Sequence, residues 1–481
     1  MPQTEIYFYN TLSNRRERFR PQNAERLTMY VCGPTVYGPV HLGNGRPAVV
    51  FDVLFRLLRS VYGKDAVVYA RNITDIDDKI IAAAAANNES TIALTARWSD
   101  DYHRQMAALN VLSPTVEPYA TEHLAEMVEM IHRLLDAGYA YEAAGHVLFN
   151  VPSFVGYGAL SNRRRDEMLA GARVEVAPYK KDAADFVLWK PAAAEEPGWD
   201  SPWGRGRPGW HLECSAMAGK HLGECLDIHG GGQDLIFPHH ENEIAQSCCA
   251  SGGGTFARYW LHNGHLTMAG EKMSKSVGNV RLLGDVLRQF PGEAVRYALL
   301  STHYRKPLTW TERLLGDSRS ALDRLYRALG DEADGKIMED EEIDEFFAGA
   351  LADDINTPLA LSRLHDMASG IQRGGAVASL RRQIKAAGQL LGFFYKTKND
   401  WFQTIDLKTF IELALKGEIF NEQVEVGEET LKKIHIEERI EKRNEARKQG
   451  NFSLADKIRD ELLAVGVVLE DSPSGTGWRR K

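Results

Sequence analysis

The fold is decided by residues 27–44, which read LTMYVCGPTVYGPVHLGN. The first part, Leu27–Cys32, is a short apolar run typical of a buried strand, and a loop rich in glycine and proline follows it. From Arg46 to Tyr62 apolar residues recur at helical spacing, and Val67–Ala70 again has the composition of a strand. This order of strand, loop, helix and strand predicts a parallel α/β unit, in which ligands bind at the carboxyl ends of the strands.

Two more strands are predicted downstream of this unit. Leu226–His229 precedes three consecutive glycines and a helix from about His239, and Trp260–Leu266 returns to strand-like composition. From Val286 onward the spacing of apolar residues is helical almost throughout. The sequence therefore predicts an α/β fold: a Rossmann-like parallel-sheet catalytic domain with an insertion, followed by an α-helical bundle and a small C-terminal domain. The predicted boundaries are 1–310 for the catalytic domain, about 139–200 for its insertion, 311–405 for the bundle and 406–481 for the C-terminal domain.

The composition is that of a globular protein with several structural units. The chain has 481 residues, of which 44% are apolar and 26% charged. Since no apolar run reaches the ~18 residues of a membrane span and the start lacks an export signal, we expect a cytoplasmic protein without membrane contact. The net charge of −8 argues weakly against nucleic-acid binding, although such binding follows local patches.

Five scattered cysteines without an export signal favour reduced thiols or metal ligands over disulfides. Cys32 and Cys214 lie near predicted strand or loop ends. His239 and Glu243 are four residues apart and share one face of a predicted helix, while His240 is an alternative partner that spacing does not exclude. Two thiolates, an imidazole and a carboxylate form a donor set that zinc accepts. By spacing alone, both cysteines could equally be small buried apolar residues.

Two separate segments have the chemistry of a nucleotide site. His41-Leu42-Gly43-Asn44 opens the first helix, where backbone amides and an imidazole can approach phosphates. The loop at 270–278 contains Lys272-Met273-Ser274-Lys275-Ser276, and its two lysines can neutralise the charge that develops on departing pyrophosphate. Taken singly, the first segment could be a turn and the second a solvated basic loop. Their order across one α/β domain favours a shared function.

These two segments resemble the HIGH and KMSKS signatures of class I aminoacyl-tRNA synthetases, and the residues around them resemble cysteinyl-tRNA synthetases. The resemblance covers essentially the whole chain and is strongest up to residue 300. One departure is Asn44, which stands where the signature has a second histidine but can still donate a hydrogen bond. The segments that carry the resemblance are Tyr30–Tyr37 (YVCGPTVY), Arg71–Lys79 (RNITDIDDK), Trp210–Ser215 (WHLECS), Asp227–Asp234 (DIHGGGQD) and Phe237–Glu243 (FPHHENE).

The resemblance implies a ligase that joins L-cysteine to tRNA(Cys) through cysteinyl-adenylate. It implies one Zn²⁺ per chain, and Mg²⁺ that accompanies the ATP. The implied zinc ligands, with His239 chosen over His240, are Cys32, Cys214, His239 and Glu243. The implied catalytic residues are His41, Asn44, Lys272 and Lys275, and those that bind ATP are His41, Gly43, Asn44 and Lys275. The residues assigned to the substrate are Gly33, Thr35, Thr74, Trp210 and Asp234.

Some of these assignments keep an alternative. Trp210 could serve core packing, and Thr74 and Asp234 could serve turns or caps. The resemblance implies that residues 406–481 read the anticodon, that the bundle braces the tRNA, and that the enzyme is a monomer. The alternative function is a ligase that passes the same adenylate to the amine of an amino sugar, which would not need the C-terminal unit.

The last segments of the chain are predicted to contact tRNA. Between Lys432 and Lys448 lie seven lysines and arginines and four glutamates, which fits either a salt-bridged solvated helix or a phosphate-contacting face. Trp478 is followed by three cations and is predicted to stack on a base.

Overall fold

The fold is seen in a computed structural model that describes residues 4–163, 177–268, 271–273, 278–334, 343–403, 428–464, 466–472 and 475–480. Its strands are β1 (Tyr7–Asn10), β2 (Arg15–Arg18), β3 (Leu27–Val31), β4 (Val67–Arg71), β5 (Ala140–Ala143), β6 (His146–Phe149), β7 (Phe186–Pro191), β8 (Gly206–Pro208), β9 (Leu226–Gly232), β10 (Ala257–Asn263), β11 (Leu266–Met268), β12 (Glu271–Lys272), β13 (Leu308–Thr309), β14 (Val467–Ser472) and β15 (Gly475–Arg480). Its α-helices are α1 (Leu42–Tyr62), α2 (Asp78–Asn87), α3 (Thr91–Ala108), α4 (Leu124–Asp136), α5 (Trp210–Leu222), α6 (Glu241–Ala250), α7 (Leu283–Gln289), α8 (Gly292–Leu300), α9 (Glu312–Leu329), α10 (Glu345–Ala352), α11 (Thr357–Gln372), α12 (Val377–Leu390), α13 (Lys398–Gln403), α14 (Glu428–Lys448) and α15 (Phe452–Ala464).

The central sheet has four parallel strands in the order β10–β9–β3–β4. The chain runs from β3 through α1 to one edge of the sheet, and it later returns through β9 to the other side of β3. The neighbours β3 and β9 therefore form a topological switch point, where a crevice opens at the carboxyl ends of the strands. The predicted Rossmann-like parallel sheet is confirmed.

The two faces of the sheet have separate hydrophobic cores, because side chains alternate along a strand. Leu27, Met29 and Val31 of β3 point into one core together with the buried stripe of α1. Tyr30 points to the other face, into a core built with α4, α5 and α6. Both faces are thus covered, as a parallel sheet requires.

The insertion between α4 and α5 forms an antiparallel sheet in the order β5–β6–β7–β8. This sheet extends past the predicted boundary near residue 200 to Pro208, because β8 pairs with β7. Asp78, at the start of α2, accepts a hydrogen bond from Lys190 at 2.7 Å and one from Arg207 at 2.8 Å. These ion pairs hold the insertion against the catalytic domain.

The helices α9 to α13 all lie within the range predicted for the bundle. Arg296 of α8 is fully buried beside them and ion-pairs with Asp52 of α1. The same guanidinium donates to the carbonyl of Leu109 at 3.0 Å and to that of Leu391, which follows α12. This one side chain therefore ties the central helix of the catalytic domain to the bundle.

The C-terminal unit contains α14, α15 and the hairpin of β14 with β15. Trp478 is only 7% exposed and packs with apolar residues of both helices, so the prediction of a base-stacking surface ring is wrong. The alternation of the strand turns Trp478 inward. Arg443 and Arg447 of the basic helix ion-pair with Asp471 at 2.8 and 2.9 Å, which supports the salt-bridged alternative for these two residues.

Among the residues that the structure describes, no helix is both long and apolar enough to span a bilayer.

Candidate metal centre and active-site pocket

Four side chains converge at the switch point between β3 and β9. Cys32 follows β3 directly, Cys214 lies in the second turn of α5, and Glu243 lies in the first turn of α6. His239 comes from the irregular turn Ile236–His240 that leads into α6. One ligand atom from each of these residues lies within 4.8 Å of all the others. The structure thus brings together all four of the predicted zinc ligands.

The distances from Cys32 Sγ to the other three ligand atoms match a tetrahedral metal site. The Cys32 Sγ lies 3.6 Å from Cys214 Sγ, 3.4 Å from His239 Nε2 and 3.4 Å from Glu243 Oε1. The distance between His239 Nε2 and Glu243 Oε1 is 3.0 Å. Bonds of about 2.0–2.3 Å to a tetrahedral zinc place ligand atoms about 3.3–3.8 Å apart. Cys214, His239 and Glu243 are buried, so these donors form a nearly closed cage.

His240 lies almost as close to the cluster as His239. Its Nε2 is also 3.4 Å from Cys32 Sγ, but it is 4.0 Å from Glu243 Oε1. Its other ring nitrogen contacts His262 Nε2 at 2.8 Å. A second possible donor group consists of Cys32, His229, His240 and Glu243. Only the group that contains His239 includes both cysteines, which favours His239 as the sequence analysis expected.

The outer hydrogen bonds fix two of the four candidate ligands. His229 Nε2 lies 2.9 Å from Glu243 Oε2, so the second carboxylate oxygen is held away from the cluster. His211 Nδ1 lies 2.9 Å from His239 Nδ1, which orients the His239 ring with Nε2 toward the thiols. Partners of this kind are typical of metal-ligating imidazoles and carboxylates. Neither histidine was predicted as part of the site, although both lie within segments that carry the family resemblance.

The electrostatics favour charge on Cys214, Glu243 and His239 but not on Cys32. The hydrogen bond from Cys32 lowers the pKa of the Cys214 thiol to about 6, in spite of burial, while burial raises the pKa of Cys32. Burial acts to raise the pKa of Glu243, but the imidazoles of His229 and His239 overcome it and hold that pKa well below its usual range. Burial acts against the charge of His239, yet Glu243 and Cys214 raise its pKa to about 10. The His239 proton balances the negative charge of the cluster, and a bound metal cation would take the place of that proton and of the Cys32 thiol proton.

An open pocket adjoins the cluster, and residues of both predicted nucleotide-binding segments line it. His41, Gly43 and Asn44 line it from the start of α1, and Met273 lines it from the other side. The Asn44 side chain accepts a hydrogen bond from the His41 backbone at 3.2 Å, which leaves its amide nitrogen as a donor. Position 43 favours glycine, because a Cβ there would lie 2.9 Å from the His41 ring.

The segment around the predicted lysine loop is tied to α1. Leu42 donates to the carbonyl of Arg281 at 3.0 Å, and Leu283 donates to that of Val40 at 2.9 Å. Lys272 pairs in β12 with Thr267 of β11. Lys275 lies outside the described residues, so its predicted role stays a prediction.

The residues predicted to bind the substrate divide into two groups. Gly33, Thr35, Trp210 and Asp234 line the pocket. The Trp210 ring stacks on His239 at 4.2 Å between centroids, and 39% of the residue is exposed, so it forms a wall of the pocket rather than core. Thr74 is buried behind the Cys32 loop, where its hydroxyl donates to Glu213 at 3.1 Å. Its contact with substrate stays a prediction.

Comparison with known proteins identifies the family. Residues 18–320 match the model of the tRNA synthetases class I (C) catalytic domain, and residues 346–395 match that of the DALR domain. A cysteine–tRNA ligase of Parvibaculum lavamentivorans is 53% identical over 99% of this chain and 98% of its own length. One of Maricaulis maris is 50% identical over 99% of both chains.

The chain belongs to the cysteine–tRNA ligase family of class I tRNA synthetases. The amino-sugar ligase gains no support from these relatives. More distant solved structures share the fold. Methionyl-tRNA synthetase of Mycobacterium tuberculosis with methionyl-adenylate has a TM-score of 0.54 at 17% identity, over 76% of this chain and 89% of that one. The LeuRS of an Agrobacterium radiobacter ternary complex has a TM-score of 0.55 at 12% identity, over 80% of this chain and 85% of that one.

Proposed function

We propose that this chain activates L-cysteine with ATP to cysteinyl-adenylate and then transfers cysteine to the 3′-terminal ribose of tRNA(Cys). The observation that carries the proposal is the convergence of Cys32, Cys214, His239 and Glu243 beside a pocket that the start of α1 also lines. The names of relatives that match along their full length support the same activity. The reaction belongs in the cytoplasm, where translation uses charged tRNA, and the proposed enzyme is a monomer.

We assign the metal to Zn²⁺, held by the same four residues. Two thiolates, one imidazole and one carboxylate suit zinc better than magnesium or calcium, which prefer oxygen ligands. When bound, zinc supplies a soft Lewis acid to which the thiolate of a cysteine substrate binds far more strongly than a serine hydroxyl. Shape alone separates such similar side chains poorly, so the metal carries the selectivity.

The first step needs no general base from the protein, because the cysteine carboxylate is already ionised at neutral pH. The protein positions the reactants and stabilises charge. We assign His41, Gly43 and Asn44 to the ATP phosphates, because they line the pocket at the N-terminal, positive end of the α1 helix dipole. Lys272 and Lys275 are assigned to the departing pyrophosphate, and Mg²⁺ accompanies the ATP.

We assign the remaining parts of the chain to the substrate and tRNA. Trp210 is held by its stacking on His239 and can cover a small amino acid at the metal. Asp234, Gly33 and Thr35 line the same pocket and are assigned to the polar groups of the amino acid. In this proposal the helices within 311–405 brace the tRNA, and residues 406–481 read the anticodon.

Cysteine-dependent pyrophosphate exchange tests the first half of the proposal, and charging of tRNA(Cys) tests the second. We expect exchange with cysteine, little exchange with serine, and formation of cysteinyl-tRNA. Exchange without charging would contradict the tRNA-ligase assignment and favour another acceptor amine. The absence of cysteine-dependent exchange would overturn the proposal as a whole.

A further inference from the structure

Arg46 is a buried cation near the start of α1 that has no role in the function proposed above. It lies in the second turn of the helix, is only 1% exposed, and lines the active-site pocket together with His41 and Asn44. Burial lowers the pKa of Arg46 to about 10, so the side chain still carries its charge at neutral pH. A charge buried in this way must be compensated by hydrogen bonds.

The Arg46 guanidinium finds this compensation on the backbone of two separate segments. Its Nη1 donates to the carbonyl of Gly264 at 2.7 Å and to that of His265 at 2.9 Å. Its Nη2 donates to the carbonyl of Lys306 at 2.7 Å and, more weakly, to that of His303 at 3.4 Å. Because a guanidinium holds its donors in a rigid planar fork, this one side chain fixes both segments relative to α1.

Both segments lead into the small sheet that contains Lys272. Residues 264–265 connect β10 to β11, and residues 303–306 precede β13. In this sheet β11 pairs in parallel with β13, and it pairs antiparallel with β12, where Thr267 lies opposite Lys272. The hydrogen bonds of Arg46 therefore fix the two places at which the chain enters the sheet.

The two segments also contact each other directly. The backbone N–H of Gly264 donates to the carbonyl of Tyr304 at 2.8 Å. A Cβ at position 264 would lie 2.6 Å from the carbonyl oxygen of Lys306, so the two backbones pack without a side chain between them. A displacement of one segment would displace the other, and Arg46 is the side chain that joins both of them to α1.

The chain is tied to the start of α1 again after the predicted lysine loop. Leu42, the first residue of α1, donates to the carbonyl of Arg281 at 3.0 Å. Both lysines assigned to the pyrophosphate, Lys272 and Lys275, lie in the sequence between this contact and the contacts of Arg46. Groups that stabilise a developing charge act best when they are held in place before the reaction.

We propose that Arg46 is a positioning residue for the adenylation step, and that it holds β11, and through β12 the backbone of Lys272, against the start of α1. The inference rests on the proposed function. In that step a carboxylate oxygen of cysteine forms a bond to the α-phosphorus of ATP, and pyrophosphate leaves with the electron pair of the bond that breaks. Misplacing a group that stabilises the leaving charge by about 1 Å can cost on the order of a hundredfold in rate.

The test compares Arg46→Lys and Arg46→Met in the two half-reactions. Single-turnover formation of cysteinyl-adenylate measures the first, and transfer from preformed cysteinyl-adenylate to tRNA(Cys) measures the second. Arg46→Lys keeps the charge but loses the planar fork. We expect it to slow adenylate formation by about tenfold or more, the effect of losing one hydrogen bond to a charged group, and to leave transfer within about twofold. Arg59→Lys is the matched control, because Arg59 lies in the last turn of the same helix.

A double-mutant cycle with Lys272→Ala identifies the route of the effect. If Arg46 acts through Lys272, Arg46→Lys should slow adenylate formation much less in the Lys272→Ala background than in the unmodified protein. Equal slowing in both backgrounds, or unchanged adenylate formation in Arg46→Lys, would overturn the inference even if Arg46→Met failed to fold. Equal slowing of both half-reactions would also overturn it, because it would indicate a general structural role. Absence of cysteine-dependent pyrophosphate exchange in the unmodified protein would instead contradict the proposed function.

Discussion

The carboxylate of Glu241 offers a sharp test of how the insertion is held against the metal centre. Glu241 is fully buried in the first turn of α6, between the candidate ligands His239 and Glu243. Its two oxygens accept backbone hydrogen bonds from Gly158 at 2.9 Å and from Ser161 at 2.8 Å, and a weaker one from Leu160 at 3.4 Å. The perturbation is Glu241→Gln, which keeps the shape but turns one acceptor into a donor.

The magnitude follows from these contacts. In the glutamine variant one oxygen remains and still accepts a hydrogen bond, but from a neutral amide instead of a carboxylate. The NH₂ group replaces the second oxygen and cannot accept from the backbone N–H that faces it, so that hydrogen bond is lost. A hydrogen bond to a charged group contributes about 1.5–3 kcal/mol, so local opening of residues 157–161 should become easier by about 3 kcal/mol. Since each 1.4 kcal/mol corresponds to a factor of ten, their amides should exchange roughly a hundredfold faster.

Hydrogen exchange measured by mass spectrometry on peptides covering 157–163 checks this prediction. Glu142→Gln is the control, because Glu142 is an exposed residue of the same insertion. Zinc content should stay that of the unmodified protein, because Glu241 does not belong to the cluster of possible metal donors. Equal protection of Gly158 and Ser161 in Glu241→Gln and in the unmodified protein would refute the reasoning.

Three further predictions concern the metal centre and the pocket. Cys214→Ser should lower the zinc content well below one ion per chain and abolish cysteine binding, while ATP binding persists. Elemental analysis measures the zinc and calorimetry measures the binding of cysteine and ATP. An unchanged affinity for cysteine would disprove the thiol–metal proposal. Gly33→Ala should abolish exchange, because its Cβ would lie 1.6 Å from the Asn72 carbonyl oxygen; an active variant with an unshifted melting temperature would contradict this close approach. Trp210→Ala should raise the KM for cysteine several-fold, because the ring that forms one wall of the pocket beside His239 is removed, with zinc retained. An unchanged KM would leave Trp210 without a role in binding.

The sequence predicted the parts of this molecule that have a local signal. The strand predicted at Leu27–Cys32 is found at Leu27–Val31, and the helix predicted at Arg46–Tyr62 begins a few residues earlier, at Leu42. The spacing of apolar residues indicates these elements, because the side chains that face the core are apolar and recur with the period of the strand or helix. The four candidate ligands were predicted from resemblance, since helical spacing alone could not choose between His239 and His240.

What sequence reasoning missed depends on contacts between distant segments. Trp478 beside three cations suggested a surface, but the pairing of β15 with β14 turns its ring into a core made with helices more than ten residues earlier. The hydrogen bond between His229 of β9 and Glu243 of α6 likewise has no local signal, because it joins side chains of two different elements. No local pattern encodes which side chains meet across a sheet.

The separation of the ligands along the chain has a consequence for biosynthesis. Cys32 and Glu243 are 211 positions apart, and their meeting requires β9 to pair with β3, with Met29 opposite Ile228. At about 5–20 residues per second, Cys32 is added to the chain about 10–40 s before Glu243. During that time the nascent chain carries the Cys32 thiol at the end of a strand that can pair with β4 but not yet with β9. All four donors are therefore available to an ion only once Glu243 has been made and β9 has paired with β3, while β10 and the rest of the catalytic domain are still to follow.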